Sequence, residues 1–140
     1  MTVKMTVDEL HAFMATEFPQ VAGDYTVEEV GGGTIRVRMN VGEKNLRPGG
    51  TVSGPSIFSL ADVTIYLVLL AMIGPQALAV TTNCSIDFMR KPAAATDLIA
   101  EGRILKLGRV LAVGDVLVYS EGAAEPVARA SLTYSIPPAR

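Results

Sequence analysis

Residues 57–73, "IFSLADVTIYLVLLAMI", constrain this chain more than any other stretch. A run this apolar has to be covered on most of its faces. It approaches the roughly 20 residues that a membrane span requires. Ser59, Asp62 and Thr64 interrupt it, however, and no cluster of Lys or Arg flanks it, so a span is not expected. The better account is a helix lined by a sheet and by a neighbouring subunit. Pro55 suits its first turn, where a missing N–H has no helical partner and the fixed φ is already helical. Gly74 and Pro75 stop it.

The rest of the chain has to supply that cover. "TVDELHAFMATEF" opens with Thr6 and carries Glu9 three positions later, the capping-box pattern, and then repeats Leu10, Phe13, Met14 and Phe18 at helical spacing up to Pro19. "DYTVEEV" runs into Gly31–Gly33 as a strand entering a tight turn. "TIRVRMNV" alternates, with Ile35, Val37, Met39 and Val41 on one face and Thr34, Arg36, Arg38 and Asn40 on the other. Further strands are expected at about 78–89, 97–107, 110–120 and 126–136, joined by "KPAAAT", "LGR" and "EGAAE". The order is helix, two strands, long helix, four strands. This predicts an α+β fold: an antiparallel sheet of five to six strands wrapped around one long central helix, as a single domain over 1–140.

Composition narrows the function. Apolar residues make up 49% of the chain and charged ones 19%, a balance that implies apolar surface hidden between subunits. The net charge of -2 argues against a nucleic-acid partner. Cys84 is the only cysteine, so there is no disulfide framework, and a reducing compartment fits. The opening residues lack the pattern of a secretory signal, and a cytoplasmic location is expected.

Inside the apolar run sits one carboxylate, Asp62. On a helix, Ser56, Ser59, Asp62 and Tyr66 share one narrow stripe while the other positions to Ile73 are apolar except Thr64. One reading has this stripe meeting solvent or pairing with an Arg. The other makes Asp62 a catalytic carboxylate in a partly dry cleft near a helix start. Backbone N–H groups there polarise a carbonyl, and a carboxylate serves as base or nucleophile. Gly54 permits close approach of a ligand to the backbone.

These residues resemble a family. "SGPSIFSLAD" at the helix start, "TTNCSIDFMRKPA" on the next strand and "LKLGRVLAVGDVLVYSEG" on the following hairpin are similar to the hotdog-fold acyl-CoA thioesterases, most closely the phenylacetate-pathway type. The resemblance runs from about residue 35 to the end. It implies that Asp62 attacks the thioester carbonyl or activates water, that the Gly54 N–H holds the carbonyl oxygen, and that Thr81 lends a hydroxyl from the other subunit. Ser53 would assist from the wall of the site. It also implies dimers joined edge to edge, often paired into tetramers, with an acyl-CoA substrate between subunits and no cofactor. Arg90, Lys91 and Arg109 would hold the phosphates of coenzyme A, although ordinary solvated turn charges account for them equally.

The chain departs from the family pattern in its loop. Ser53-Gly54-Pro55 stands where His-Gly-Gly is usual, and Arg47 stands where an Asn often positions water. Arg has only donors, so Asn45 would have to take that role. Arg47 would then pair with a carboxylate on the acyl group or with Asp62 itself. His11, the only histidine, is expected on the surface or partly packed, which argues against Ser–His or Cys–His chemistry and against the histidine-dependent hotdog dehydratases. Cys84 alternates with Val80, Thr82, Ile86 and Phe88 as a small buried hydrophobe. Asp87 is expected to pair with Arg90. With one His and one Cys, no metal site is expected. The rival function is an acyl-CoA or acyl-chain binder without turnover; a purely structural oligomer is a weaker third.

Overall fold

The computed structural model describes residues 1–138. Helix α1 (Val7–Glu17) is followed by strands β1 (Tyr25–Gly31) and β2 (Thr34–Met39), then by helix α2 (Gly54–Ile73). Strands β3 (Val80–Phe88), β4 (Leu98–Leu107), β5 (Leu111–Ser120) and β6 (Ala128–Ser135) complete the chain, each beginning and ending within the expected segment. The six strands form one sheet in the order β1-β2-β4-β5-β6-β3, and every pair is antiparallel. This is the α+β hotdog architecture expected from the sequence.

Local chemistry sets the helix ends. At α1 the Thr6 side chain accepts from the Glu9 N–H at 3.2 Å while the Glu9 carboxylate accepts from the Thr6 N–H at 3.0 Å. At α2, Ser53 is the N-cap, its hydroxyl accepting from the Ser56 N–H. Gly74 closes α2 with φ 94°, a conformation that side chains rarely adopt.

The sheet curls around α2. Leu60, Ala61, Ile65 and the whole run Leu67–Ala71 are fully buried. Removing a leucine side chain from water is worth about 1.5–3 kcal/mol, so this stripe is the main organiser of the fold. The helix is long and apolar enough to cross a bilayer, but it is the core helix here, with 67% of its apolar stretch buried inside the fold.

Outward side chains of the sheet are neutralised locally. Arg38 binds Glu28, Asp97 and Glu121 at 2.8, 2.9 and 2.6 Å. The expected Asp87–Arg90 pair does not form. Asp87 faces Arg129 across the β3–β6 ladder at 3.0 Å, and Arg90, beyond the strand end, pairs with Glu125. Cross-strand neighbours lie closer than residues three apart along one extended strand. His11 is partly packed: its Nε2 accepts the Val27 N–H at 2.9 Å and so ties α1 to β1.

Helix and sheet touch most closely at Gly102 and Gly114, where an added Cβ would lie 2.6 Å from Thr64 Cγ2 and 2.8 Å from Ile65 Cδ1. A Cβ at Gly114 would lie 2.7 Å from the Arg103 carbonyl oxygen and 2.8 Å from Ile65 Cδ1, whereas one at Gly23 would meet nothing within 4 Å. Gly114→Ala should therefore lower unfolding free energy by about 1–3 kcal/mol and Gly23→Ala by less than about 0.5 kcal/mol. Urea denaturation checks both, and equal midpoints for the two variants would contradict this packing.

Candidate active site

Asp62 lies one turn beyond Ser59 on α2, where the polar stripe leaves the core. Its Oδ1 accepts two hydroxyl donors, Thr81 Oγ1 at 2.5 Å and Tyr134 Oη at 2.7 Å. Tyr134 Oη also lies 3.0 Å from the Asp62 backbone oxygen. Among the described residues Oδ2 has no partner. One carboxylate oxygen is thus fixed and the other is open.

Thr81 reaches Asp62 of its own chain because β3 is irregular. Strict alternation puts Thr82 on the face of Cys84 and turns Thr81 away. A register shift between Thr81 and Asn83 re-aims the strand, as bulges do, so Thr81 turns inward and Thr82 is exposed. The Asp62–Thr81 contact is therefore made within one chain rather than across subunits, unlike the arrangement that the sequence resemblance implies. The same register sets Thr81 directly opposite Tyr134.

Asp62 lines a cavity of about 510 Å³. Met14 and Phe18 of the α1 segment form one wall, Phe58, Val63 and Tyr66 of α2 another, and Tyr25, Val80 and Tyr134 come from strands. Phe18 meets Tyr66 edge-on at 5.6 Å between ring centroids, and Tyr66 lies 6.1 Å from Tyr134. Tyr66 is thus a packing aromatic that also lines the cavity, its hydroxyl donating to the Ala77 carbonyl at 3.1 Å.

The start of α2 is a separate feature. Pro55 has no N–H, Ser56 N–H goes to Ser53 Oγ and Ile57 N–H goes to the Ser53 carbonyl. That leaves the Gly54 N–H as the one unpaired donor in this turn among the described residues. A Cβ at Gly54 would touch only the Phe88 ring, at an ordinary 3.5 Å, so packing inside the chain does not demand glycine there. Asn45 is buried and tied to the loop: its Oδ1 accepts from Gly42 N–H, its Nδ2 donates to Ser56 Oγ, and its carbonyl takes the Ser53 N–H. Ser53 acts as a cap and hydrogen-bonds Ser56 Oγ at 3.2 Å.

Beside this turn, Arg47, Arg90 and Lys91 line a second cavity of about 470 Å³ with Phe88 and Pro92. The structure brings these three cations together. It puts Arg109 elsewhere, on the β4–β5 turn, at the opposite end of the sheet. Asp62 and Gly54 are also apart: eight residues of helix at 1.5 Å each separate them by about 12 Å. Nor does Arg47 pair with Asp62 within the chain. No cluster of His, Cys, Asp and Glu suited to a metal ion occurs among the described residues.

The sequence model of the thioesterase superfamily matches residues 49–127, from the loop before α2 to the start of β6. The chain belongs to the thioesterase superfamily. No curated protein matches it, but solved structures do. A protein of Silicibacter sp. TM1040 assigned as a thioesterase is 54% identical with a TM-score of 0.93, over 99% of this chain and 96% of that one. A mutant of the phenylacetic acid degradation protein PaaI from Thermus thermophilus is 28% identical with a TM-score of 0.73, over 85% and 99% of the two chains. A Streptococcus mutans protein bound to acetyl CoA is likewise 28% identical with a TM-score of 0.73, over 83% and 90%. The protein is a hotdog-fold, PaaI-like member.

In this thioesterase-superfamily chain, Tyr134 was not singled out by sequence reasoning. The available signal was the alternation Ala128, Ala130, Leu132, Tyr134, which turns a tyrosine inward, where its hydroxyl needs a partner. Asp62 is that partner.

The negative charge of Asp62 acts on its neighbours. Burial pushes the Tyr134 phenol far up, and Asp62 adds to this. Burial chiefly raises Tyr25 as well, with Asp24 and Asp62 contributing, and it takes Tyr66 up to about 12 with help from Glu17. Burial and then Asp62 raise the Cys84 thiol. Because these phenols hold their protons longer folded than unfolded, the folded state binds more protons above about pH 10, and stability falls there with rising pH. We expect each affected tyrosine to remove up to about 1.4 kcal/mol per pH unit from about pH 10, Tyr66 until about 12. Thermal melts across this range test it; a flat melting temperature would refute the burial of these hydroxyls.

Proposed function

We propose that the protein hydrolyses acyl-coenzyme A thioesters, using Asp62 from one copy of the chain and the Gly54 N–H from a second. The observation that carries this reading is the divided carboxylate of Asp62, which lines an apolar cavity with Oδ1 fixed by two hydroxyls and Oδ2 unpaired among the described residues. Superfamily membership and the relative bound to acetyl CoA support it.

The pairing of copies follows from β3. Among the described residues this strand bonds only to β6, and its free edge carries exposed Val80 and Phe88 at its two ends, each 54% accessible. Thr81, next to Asp62, and Phe88, next to Gly54, are about 24 Å apart along the strand. Two β3 edges paired antiparallel about their midpoints bring the partner's Phe88 end, and with it the partner's Gly54, beside Thr81. Leu111 pairs with Ser135, which pairs with Val80, so the β4–β5 turn lies at the Val80 end. Arg109 of one copy would then join Arg47, Arg90 and Lys91 of the other around the phosphates of coenzyme A. Such a dimer, alone or doubled to a tetramer, suits an apolar-rich chain acting as one domain. A cytoplasmic location suits its unpaired Cys84.

In this site the acyl group occupies the apolar cavity and its carbonyl oxygen accepts the partner's Gly54 N–H. Asp62 Oδ2 takes a proton from water, whose oxygen bonds to the thioester carbon. The C–S bond breaks, and the coenzyme A thiolate leaves and recovers the proton. In direct attack the same Oδ2 bonds to the thioester carbon and expels the thiolate, and water then hydrolyses the resulting acyl–Asp62 anhydride to the free acid and the Asp62 carboxylate. Water is the only co-reactant, and this route calls on no metal or organic cofactor.

Asp62→Asn should lower kcat on a responsive acyl-coenzyme A by about 100- to 10,000-fold, followed as released thiol. Thermal stabilisation by acyl-coenzyme A esters without turnover by wild type would instead identify a binder, and no response to any of them a structural oligomer. Gly54→Pro removes the amide proton and puts a ring carbon in its place, at a position whose preceding residue is already extended with ψ 155°. Co-expressed Asp62→Asn and Gly54→Pro chains, each inactive alone, should regain about a quarter of wild-type activity, since half the dimers are mixed and each mixed dimer holds one intact site. Mixed dimers without activity would overturn the shared site. Arg90→Gln with Lys91→Gln should raise KM for acyl-coenzyme A about 3- to 10-fold but not for an acyl-pantetheine lacking the nucleotide. An equal rise for both would exclude phosphate binding there.

A further inference from the structure

Tyr134 stands on the last strand, outside the helix start, loop and β3 segment that supply the rest of the site. It is nonetheless the second of two donors to Asp62. Thr81 and Tyr134 are directly paired across the β3–β6 ladder, so two adjacent strands deliver one hydroxyl each to the same carboxylate oxygen. We propose that Tyr134 is a positioning residue that fixes the reactive orientation of Asp62; this rests on the thioesterase reading above.

Three observations support it. First, no cation among the described residues pairs with Asp62: the titratable side chains that feel its charge are Tyr25 from β1, Cys84 from β3 and Tyr134 from β6, with Tyr66 of α2 packed against Tyr134. Hydroxyl donors alone offset the cost of holding the charge in a half-apolar cavity. Second, a carboxylate with one donor can turn about its terminal torsion and exchange its oxygens, because that torsion has broad wells. Donors from two strands converging on Oδ1 hold the carboxylate plane and with it the position of the unpaired Oδ2. Third, the phenol is itself fixed. Tyr134 is 2% exposed, its ring packs 6.1 Å from that of Tyr66, and its Oη sits 3.0 Å from the Asp62 backbone oxygen, anchored to the helix as well as to the side chain. Burial keeps it protonated, and therefore a donor, across the neutral range.

Tyr134→Phe keeps the ring and removes only the hydroxyl. A residue that merely fills space predicts unchanged kinetics. A positioning residue predicts that kcat falls by about 10- to 100-fold while KM stays within about twofold and the melting temperature changes little. Thr81→Val, which removes the other donor, should behave alike, and the double variant should approach Asp62→Asn, because both act through one carboxylate. A well-folded Tyr134→Phe protein with kcat within about twofold of wild type overturns the role of Tyr134 while leaving hydrolysis by Asp62 intact. Full activity of Asp62→Asn would overturn the hydrolytic reading itself, and the two failures are thereby distinguished.

Discussion

Burying α2 governs everything else in this molecule. A helix with Leu, Ile, Val and Ala on nearly all faces is insoluble unless a sheet curls around it, and a curled sheet of six strands leaves an opening only along one side. The stripe Ser56–Ser59–Asp62–Tyr66 emerges at that opening. The site of the carboxylate is therefore a by-product of core formation: Asp62 lies where the wrapping sheet runs out, between α1 and the edge strand β3. Its surroundings stay apolar for the same reason, since the cavity walls are the margins of the core.

That origin explains how the carboxylate is kept. An acid in such a place must be compensated, and no arginine or lysine among the described residues pairs with it. Charges on this protein are paired on the outer face of the sheet, as in the Arg38 and Arg129 contacts. Within the sheet margin only hydroxyls are available. Two of them occupy one oxygen and leave the other unpaired, which suits a group that has to react. A salt bridge would engage both oxygens in the bidentate manner that guanidinium favours.

The fold was largely legible in the sequence because its signals are local. The capping box at Thr6, the alternation of β2, and Pro55 and Gly74 bracketing α2 each report a backbone preference that the tertiary structure leaves intact. Asp62 was legible as an anomaly within the apolar run, and the clustering of Arg47, Arg90 and Lys91 agrees with their shared position near strand ends and loops. What was not legible depends on register. The shift at Thr81 decides which face of β3 looks inward, and no composition signal marks it. Tyr134 becomes visible only once β6 is laid against β3. Asp87 chose Arg129 over Arg90 because a ladder neighbour is nearer than a residue past the strand end. Arg109 and Arg47 are remote in one chain, a separation that sequence proximity to turns does not reveal.

Gly54 carries the remaining step. A glycine at a helix start is ordinarily explained by a crowded neighbour or an unusual φ, and neither applies: the Phe88 ring leaves room for a Cβ, and no positive φ is found at this position. Its N–H also goes unused while every other amide in that turn is either capped or absent. A free donor and free space at one spot make sense together if something from outside the chain fills both. Asp62 has the matching vacancy, an oxygen unpaired among the described residues on a side chain that lines an apolar cavity. The two half-sites lie near opposite ends of β3, an edge strand of the sheet. Under the proposed pairing, the symmetry that closes that edge also joins each half-site to its complement, so the need to cover the edge and the need to complete the site would have a single solution.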